Sequence, residues 1–113
     1  MSLFRIEIMP LATEDIISAG IWIEERNPPS AARWLSKTEA EIHGLRRFPA
    51  RCPLAPEAAD LGQDIYQLVV GKRRGRYRVL YRIKENEKLV QVLRVVHGMR
   101  ETLTAVDFEQ AGW

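Results

Sequence analysis

The stretch GKRRGRYRVLYRI, residues 71–83, decides which fold this sequence adopts. It contains six basic residues and no acidic one. From residue 76 onward the side chains alternate with a period of two, which is typical of a β-strand whose two faces differ. One face carries Tyr77, Val79, Tyr81 and Ile83, and the other carries Arg76, Arg78, Leu80 and Arg82. We expect the tyrosine face to pack on the core and the three arginines to lie exposed.

Two further strand patterns flank this stretch, DIYQLVV at 64–70 and KLVQVLRVV at 88–96. The connectors GKRRG and KENEK are short enough for hairpins, which predicts three antiparallel neighbours. A fourth pattern, LFRIEI at 3–8, alternates in the same way and predicts a first strand. The sequence therefore predicts one strand near the start of the chain and a three-stranded meander in its second half.

Between these strands the apolar residues recur every three or four positions, which predicts two amphipathic helices. The first runs from about Leu11 to Arg26. The second runs from Pro28 to about Arg47, with Asn27 as its N-cap, because a proline in the first helical position loses no hydrogen bond. So short a break between two helices predicts an antiparallel helical hairpin.

The remaining segments carry weaker patterns. Residues 48–63 contain three prolines and one glycine, which predicts a loop, and residues 102–109 suggest a short helix. The resulting order predicts a single α+β domain over residues 1–113, with a helical hairpin on one face of a mainly antiparallel sheet. The other face of the sheet is expected to be partly open to solvent.

Charge is unevenly distributed along the chain. Residues 1–64 carry 7 basic and 10 acidic side chains, a net −3, whereas residues 65–113 carry 10 basic and 5 acidic ones, a net +5. A basic half on a nearly neutral protein favours an acidic partner, although a solvated surface has the same composition. Trp22 and Trp34 lie beside the inner stripes of the helices, where they pack or line a groove. The predicted binding residues are Lys72, Arg73, Arg74, Arg76, Arg78, Arg82, Trp22 and Trp34.

Several classes of protein are disfavoured. Cys52 has no partner for an internal disulfide, and the two histidines, His43 and His97, are too far apart for a metal motif. No glycine-rich phosphate loop follows a strand, so neither a metal nor a cofactor is expected. The sequence has no signal-peptide pattern and no run of about 18 apolar residues, so we expect a cytoplasmic protein that does not enter the membrane.

Four phrases in order resemble the RelE/ParE superfamily of bacterial type II toxin–antitoxin toxins. They are DIISAGIWIEERNP at 15–28, LRRFPARCP at 45–53, RYRVLYRI at 76–83 and VLRVVHGMRE at 92–101. The HGMR form resembles the ParE-like branch, which includes plasmid stabilisation proteins. The resemblance implies a toxin that is neutralised by a cognate, ParD-like antitoxin, and it leaves open a homodimer or a hetero-oligomer with that antitoxin.

The superfamily has two known routes to toxicity. ParE-like toxins inhibit DNA gyrase, and RelE-like toxins cleave mRNA on the ribosome. The resemblance places RelE-like arginines at Arg78 and Arg100, but the RelE lysines would fall near Gln67 and Val69, and both are absent. The RelE tyrosine, which would fall near residue 105 or 106, is also absent.

RNA cleavage needs a group that moves protons, and an arginine with a pKa above about 12 is a poor base. His97 is the remaining candidate, but it can equally well hydrogen-bond a backbone carbonyl where the chain leaves the sheet. The favoured interpretation is a gyrase-binding toxin with no catalytic residue. The alternatives are a ribosome-dependent mRNA endonuclease using Arg78, His97 and Arg100, and a non-toxic binding protein with the toxin fold.

Overall fold

The computed structural model describes residues 3–109 and confirms the predicted α+β fold. Its helices and strands follow the predicted order. They are β1 (Arg5–Ile8), α1 (Pro10–Arg26), α2 (Pro28–Gly44), α3 (Glu57–Leu61), β2 (Tyr66–Val70), β3 (Tyr77–Lys84) and β4 (Leu89–His97). The four strands form one sheet in the order β1-β4-β3-β2. The second half of the chain is the expected antiparallel meander, and β1 joins it parallel to β4.

The helical hairpin forms where the sequence predicted it. Asn27 ends α1 and caps α2, and its side-chain Oδ1 accepts a hydrogen bond from the Ser30 N–H at 3.3 Å. Both helices pack on one face of the sheet, where they cover the buried Tyr77, Val79 and Tyr81. The predicted core face of β3 is therefore confirmed.

The opposite face of the sheet is buried as well, which corrects the expectation of an open face. Leu80 and Leu93 are completely buried there against Ile65 and Phe108. The cover is made by α3 and by a 3₁₀ turn, Ala105–Phe108, whose Thr104 and Asp107 form a capping box. Residues 48–63 are thus not only a loop, because they fold into a 3₁₀ turn at Pro49–Arg51 and into α3.

The pairing of β4 with β3 contains a β-bulge. The pairing between β3 and β4 shifts at Leu80 and Tyr81, because Leu80 pairs with Arg94 whereas Tyr81 pairs with Val92. The extra residue, Leu93, points to the second core, and the alternation along β4 is reset beyond it. Because both faces of β4 are buried, its apolar run is nearly continuous.

Candidate functional site

Arg78 is buried on the second face of the sheet, which contradicts its predicted exposure. It is only 8% exposed, and its guanidinium donates two hydrogen bonds to the Glu57 carboxylate, at 3.0 and 2.8 Å. Its Nη1 also donates to Gln67 Oε1 at 3.0 Å. The Glu57 side chain is completely buried and accepts a third hydrogen bond, from the Leu103 N–H at 2.9 Å. The charge of Arg78 is therefore matched inside the protein.

The environment of Glu57 keeps its carboxylate charged. Burial by itself would raise the pKa of Glu57, but the hydrogen bonds from Arg78 and from the Leu103 N–H outweigh it and hold the pKa below its usual value. The network joins α3, β3 and the segment before the C-terminal turn. It fixes the cover of the second face in place.

Arg76, which precedes β3, and Arg82 within β3 are half-buried, so their predicted exposure is also wrong. Arg76 bends back and donates to the Arg73 carbonyl at 2.9 Å. Arg82 donates to Gln91 Oε1 at 2.7 Å, and burial lowers the pKa of Arg82 despite the nearby carboxylates of Glu7 and Glu87. The predicted surface of three exposed arginines is therefore not present.

Exposed cations remain in the turn between β2 and β3. Lys72, Arg73 and Arg74 are all exposed, and none of the ion pairs within residues 3–109 involves them. Arg73 adopts a left-handed backbone conformation (φ 53°), and so does Gly71 (φ 91°), where an added Cβ would lie 2.8 Å from the Gly75 carbonyl oxygen. The tight turn thus depends on a glycine at position 71.

The HG pair at residues 97–98 holds this basic turn against the end of β4. His97 Nδ1 accepts a hydrogen bond from the Met99 N–H at 3.0 Å, so its Nε2 carries the proton and donates to the Arg74 carbonyl at 2.6 Å. A Cβ at Gly98 would lie 2.6 Å from the Cγ of Arg76, so only glycine leaves room for that side chain. Both ring nitrogens of His97 are occupied, which is the geometry of a positioning residue.

A groove of about 840 Å³ lies between α1 and the end of β4. Its floor is formed by Ala19, Tyr77 and Val95, Trp22 forms one wall, and Arg74 lies at its rim. Trp22 is 52% exposed. The guanidinium of Arg26 stacks 3.8 Å from the centre of its ring.

The acidic side chain of this groove is paired within the protein, whereas its basic side chains are exposed. Asp15 is the acidic residue that lines the groove. Its carboxylate accepts hydrogen bonds from Arg94 (2.7 and 2.9 Å) and from the Val95 N–H (2.9 Å). Because of this contact with Asp15, the pKa of Arg94 is raised. Arg100, which also lines the groove, is exposed and forms an ion pair with Asp107 at 3.2 Å. The groove is apolar at its floor and positive at its rim.

Trp34 does not belong to either surface. It is 9% exposed and packs within the helix-covered core, with its ring centre 5.0 Å from that of Tyr77. Its burial leaves a partner little contact area, so the structure favours packing over the predicted binding role of Trp34. The next residue of α2, Leu35, is 40% exposed.

A second groove runs along the helical hairpin and is almost free of cations. It consists of two adjoining depressions of about 540 and 410 Å³, which share Ile16, Ile17 and Leu35. Ile17 and Ile21 on α1 are each 57% exposed, an unusual position for large aliphatic side chains. The two grooves lie on either side of α1.

Within residues 3–109, no cluster of three or more His, Cys, Asp or Glu side chains is placed to hold a metal ion. No helix in that same range is long and apolar enough to cross a membrane.

The architecture and the comparisons agree on one class of protein, the RelE/ParE-like toxins. The sequence profile described as "ParE toxin of type II toxin-antitoxin system, parDE" matches residues 6–102. The chain belongs to this ParE toxin family.

Two solved structures are similar to this chain. One is the toxin–antitoxin complex RelBE2 from Mycobacterium tuberculosis, with 26% sequence identity, a TM-score of 0.56, and coverage of 88% of this chain and 97% of that one. The other is a double mutant of the E. coli toxin RelE in the free state, with 16% identity, a TM-score of 0.46, and coverage of 98% and 95%. No curated protein matches the sequence.

Proposed function

We propose that the protein is a ParE-like toxin that inhibits DNA gyrase by binding it and that a cognate antitoxin neutralises. Membership of the ParE toxin family supports the toxin role, and the burial of Arg78 supports binding over catalysis. A phosphate-binding arginine must reach its substrate. This one is held by both oxygens of Glu57 beneath α3 and the segment around Leu103.

The other residues of the nuclease alternative fit catalysis no better. Both ring nitrogens of His97 are hydrogen-bonded to backbone groups of its own chain, and Arg100 cannot act as a base. Gln67, near which the resemblance places a RelE lysine, accepts a hydrogen bond from Arg78 and brings no charge. RNA cleavage needs a proton acceptor and a proton donor beside the phosphate, and the engagement of His97 with the backbone supports binding over catalysis.

The antitoxin belongs to the same proposal. RelBE2 is itself a toxin–antitoxin complex, and the exposed isoleucines of the hairpin groove form a surface that a partner would cover. A toxin that persists in a cell needs such a partner. The third alternative, a non-toxic binding protein with the same fold, is decided by the experiment below.

The test is expression without antitoxin in bacteria, followed by separate examination of DNA and RNA. Gyrase inhibition predicts growth arrest and accumulated gyrase–DNA breaks with intact messages. Codon-phased cleavage of translated mRNA without DNA breaks would instead establish the nuclease, and unimpaired growth at full expression would establish the non-toxic protein.

The variant His97→Ala sharpens this test. We expect it to retain most of its toxicity, because His97 positions the basic turn and moves no proton. The measurement is growth inhibition at matched protein levels, with thermal melting as the control for folding. A loss of toxicity by orders of magnitude in a folded variant would favour the nuclease.

A further inference from the structure

The groove between α1 and the end of β4 has a chemistry that the hairpin groove lacks. Its floor and walls are apolar, and its rim carries the exposed Arg74 and Arg100. Lys72 and Arg73 extend the positive charge along the adjoining turn. An occupant must therefore bring an apolar side chain for the floor and negative charge for the rim.

The shape of the positive surface favours a peptide over a nucleic acid. Nucleic-acid binding needs cations spread along a phosphate backbone. The arginines that would extend such a track along the sheet are held in buried or largely buried ion pairs, Arg78 with Glu57 and Arg94 with Asp15. The pair of Arg100 with Asp107 is exposed and therefore weak, so a carboxylate of a partner can replace Asp107. The exposed cations cluster at one end of an apolar groove, which suits a short acidic segment with a hydrophobic anchor.

The two grooves are neighbours on α1. Ile21 lines the hairpin groove, and the next residue, Trp22, lines the cationic groove. Both side chains are more than half exposed, so the apolar surface continues over the helix from one groove to the other. One partner chain that lies in the hairpin groove can cross α1 and end in the cationic groove.

We propose that the groove formed by Trp22, Arg74 and Arg100 binds an acidic segment of the antitoxin that carries one bulky apolar anchor. This assignment rests on the proposed function for the identity of the partner. The anchor fills the space beside Trp22 and above Tyr77, and carboxylates of the same segment bind the two arginines. Aromatic and arginine side chains together are the usual components of an energetic centre in an interface.

The chemistry of the groove is tested with a fluorescein-labelled peptide of sequence EDLFDE and fluorescence anisotropy. We expect saturable binding that weakens as salt is raised, because exposed charges are screened beyond roughly 10 Å at 0.1 M ionic strength. The charge-reversed peptide KKLFKK and the anchorless peptide EDSSDE should bind at least about tenfold more weakly, since tenfold in affinity is a typical loss for one good contact.

Variants locate the binding on the protein. Trp22→Ala and Arg74→Glu should each weaken binding of EDLFDE by about tenfold or more. Both side chains are exposed, so both variants should fold, and thermal melting checks this. The matched controls are Leu54→Ala, whose side chain is as exposed as that of Trp22 (52%) and lines neither groove, and Lys37→Glu, the same change of charge on the exposed face of α2. Both controls should bind the peptide as the wild type does.

The occupant is tested by displacement with the product of an adjoining antitoxin gene. Antitoxin added in equal amount should release the bound peptide. Binding that does not saturate, or that ignores Trp22→Ala and Arg74→Glu, would overturn the site. Unchanged peptide binding to the antitoxin-saturated protein would overturn the antitoxin as occupant and assign the groove to the target. An absence of gyrase inhibition in cells would leave these titrations unchanged, so the two proposals fail separately.

Discussion

One face of the sheet is covered by the helical hairpin, and the opposite face by α3 and the C-terminal turn. The first interface is apolar, with Val79 and Tyr81 beneath long amphipathic helices. The second contains apolar residues such as Leu80, but it also buries the ion pair of Arg78 and Glu57. The first face is held mainly by apolar area, with the Asp15–Arg94 ion pair at its edge, whereas the second depends on two buried charges remaining matched.

The largest expected effect comes from breaking that ion pair. Glu57→Ala should lower the free energy of unfolding by about 3–5 kcal/mol, because it leaves Arg78 charged and unpaired in the interior. The measurement is chemical denaturation at neutral pH. Replacing both partners by apolar residues, as in Glu57→Leu with Arg78→Met, should restore most of the loss. A loss below about 1 kcal/mol for Glu57→Ala, the size expected of an exposed pair, would show that solvent reaches the second face.

The second prediction compares one leucine on each face. Leu80→Ala and Leu68→Ala should each cost about 2–5 kcal/mol, because both side chains are buried and each substitution leaves a cavity. Denaturation curves of the two variants measure this directly. An effect within about 0.5 kcal/mol for Leu80→Ala alone would indicate a solvated second face, as expected for a surface substitution.

The helix-covered face could be predicted from the sequence because its signals are local. Period-two alternation predicted that Tyr77 and Tyr81 face the core. The N-cap at Asn27 was predicted from an asparagine followed by a proline, and it is observed at that position. The starts of both long helices followed from the same short patterns, whereas α2 ends at Gly44, before the predicted end near Arg47.

The second face could not be predicted in the same way, because it depends on contacts that are distant in sequence. Arg78 is buried only because Glu57, 21 positions away, folds over it, and no periodicity links the two residues. One local signal was present. The nearly continuous apolar run LVQVLRVV of β4 is typical of a strand that is buried on both faces.

The candidate site could be predicted only where its residues follow a local sequence pattern. The exposed turn with Lys72, Arg73 and Arg74 follows from its composition, and Trp22 lies in a groove as one interpretation allowed. Trp34 could not be distinguished from Trp22 by sequence, because both lie at the edge of an inner stripe. The pairing of Asp15 with Arg94 joins α1 to β4 over 79 positions and left no local pattern.

The third prediction uses pH to separate the two faces. The pKa of Glu57 is lower in the folded protein than its usual value, so its contribution to stability is complete above the unfolded pKa of roughly 4.3. It is lost as the pH falls through the lower folded pKa, where the carboxylate of the native state takes up a proton.

The measurement is the free energy of unfolding of the wild type minus that of Glu57→Gln, from neutral pH downward. The other carboxylates titrate in both proteins, so the difference reports Glu57. We expect the advantage of the wild type to shrink below about pH 4. A difference that is constant with pH would contradict the assignment of a charged Glu57, and Leu68→Ala serves as the pH-insensitive control on the other face.

The smallest expected effect on stability comes from breaking the exposed ion pair of Arg100 and Asp107. Arg100 and Asp107 form an arginine–carboxylate pair like that of Arg78 and Glu57, but the Arg100 side chain is 45% exposed. In water the attraction is weak and ordering two long side chains offsets it, so Arg100→Ala should change the free energy of unfolding by about 0–1 kcal/mol. The same denaturation assay, repeated at high salt, should find no further loss in the variant. Since Asp107 also caps the turn through Thr104, Asp107→Ala should cost more than Arg100→Ala, and the reverse order would place the stabilisation in the ion pair instead of the cap.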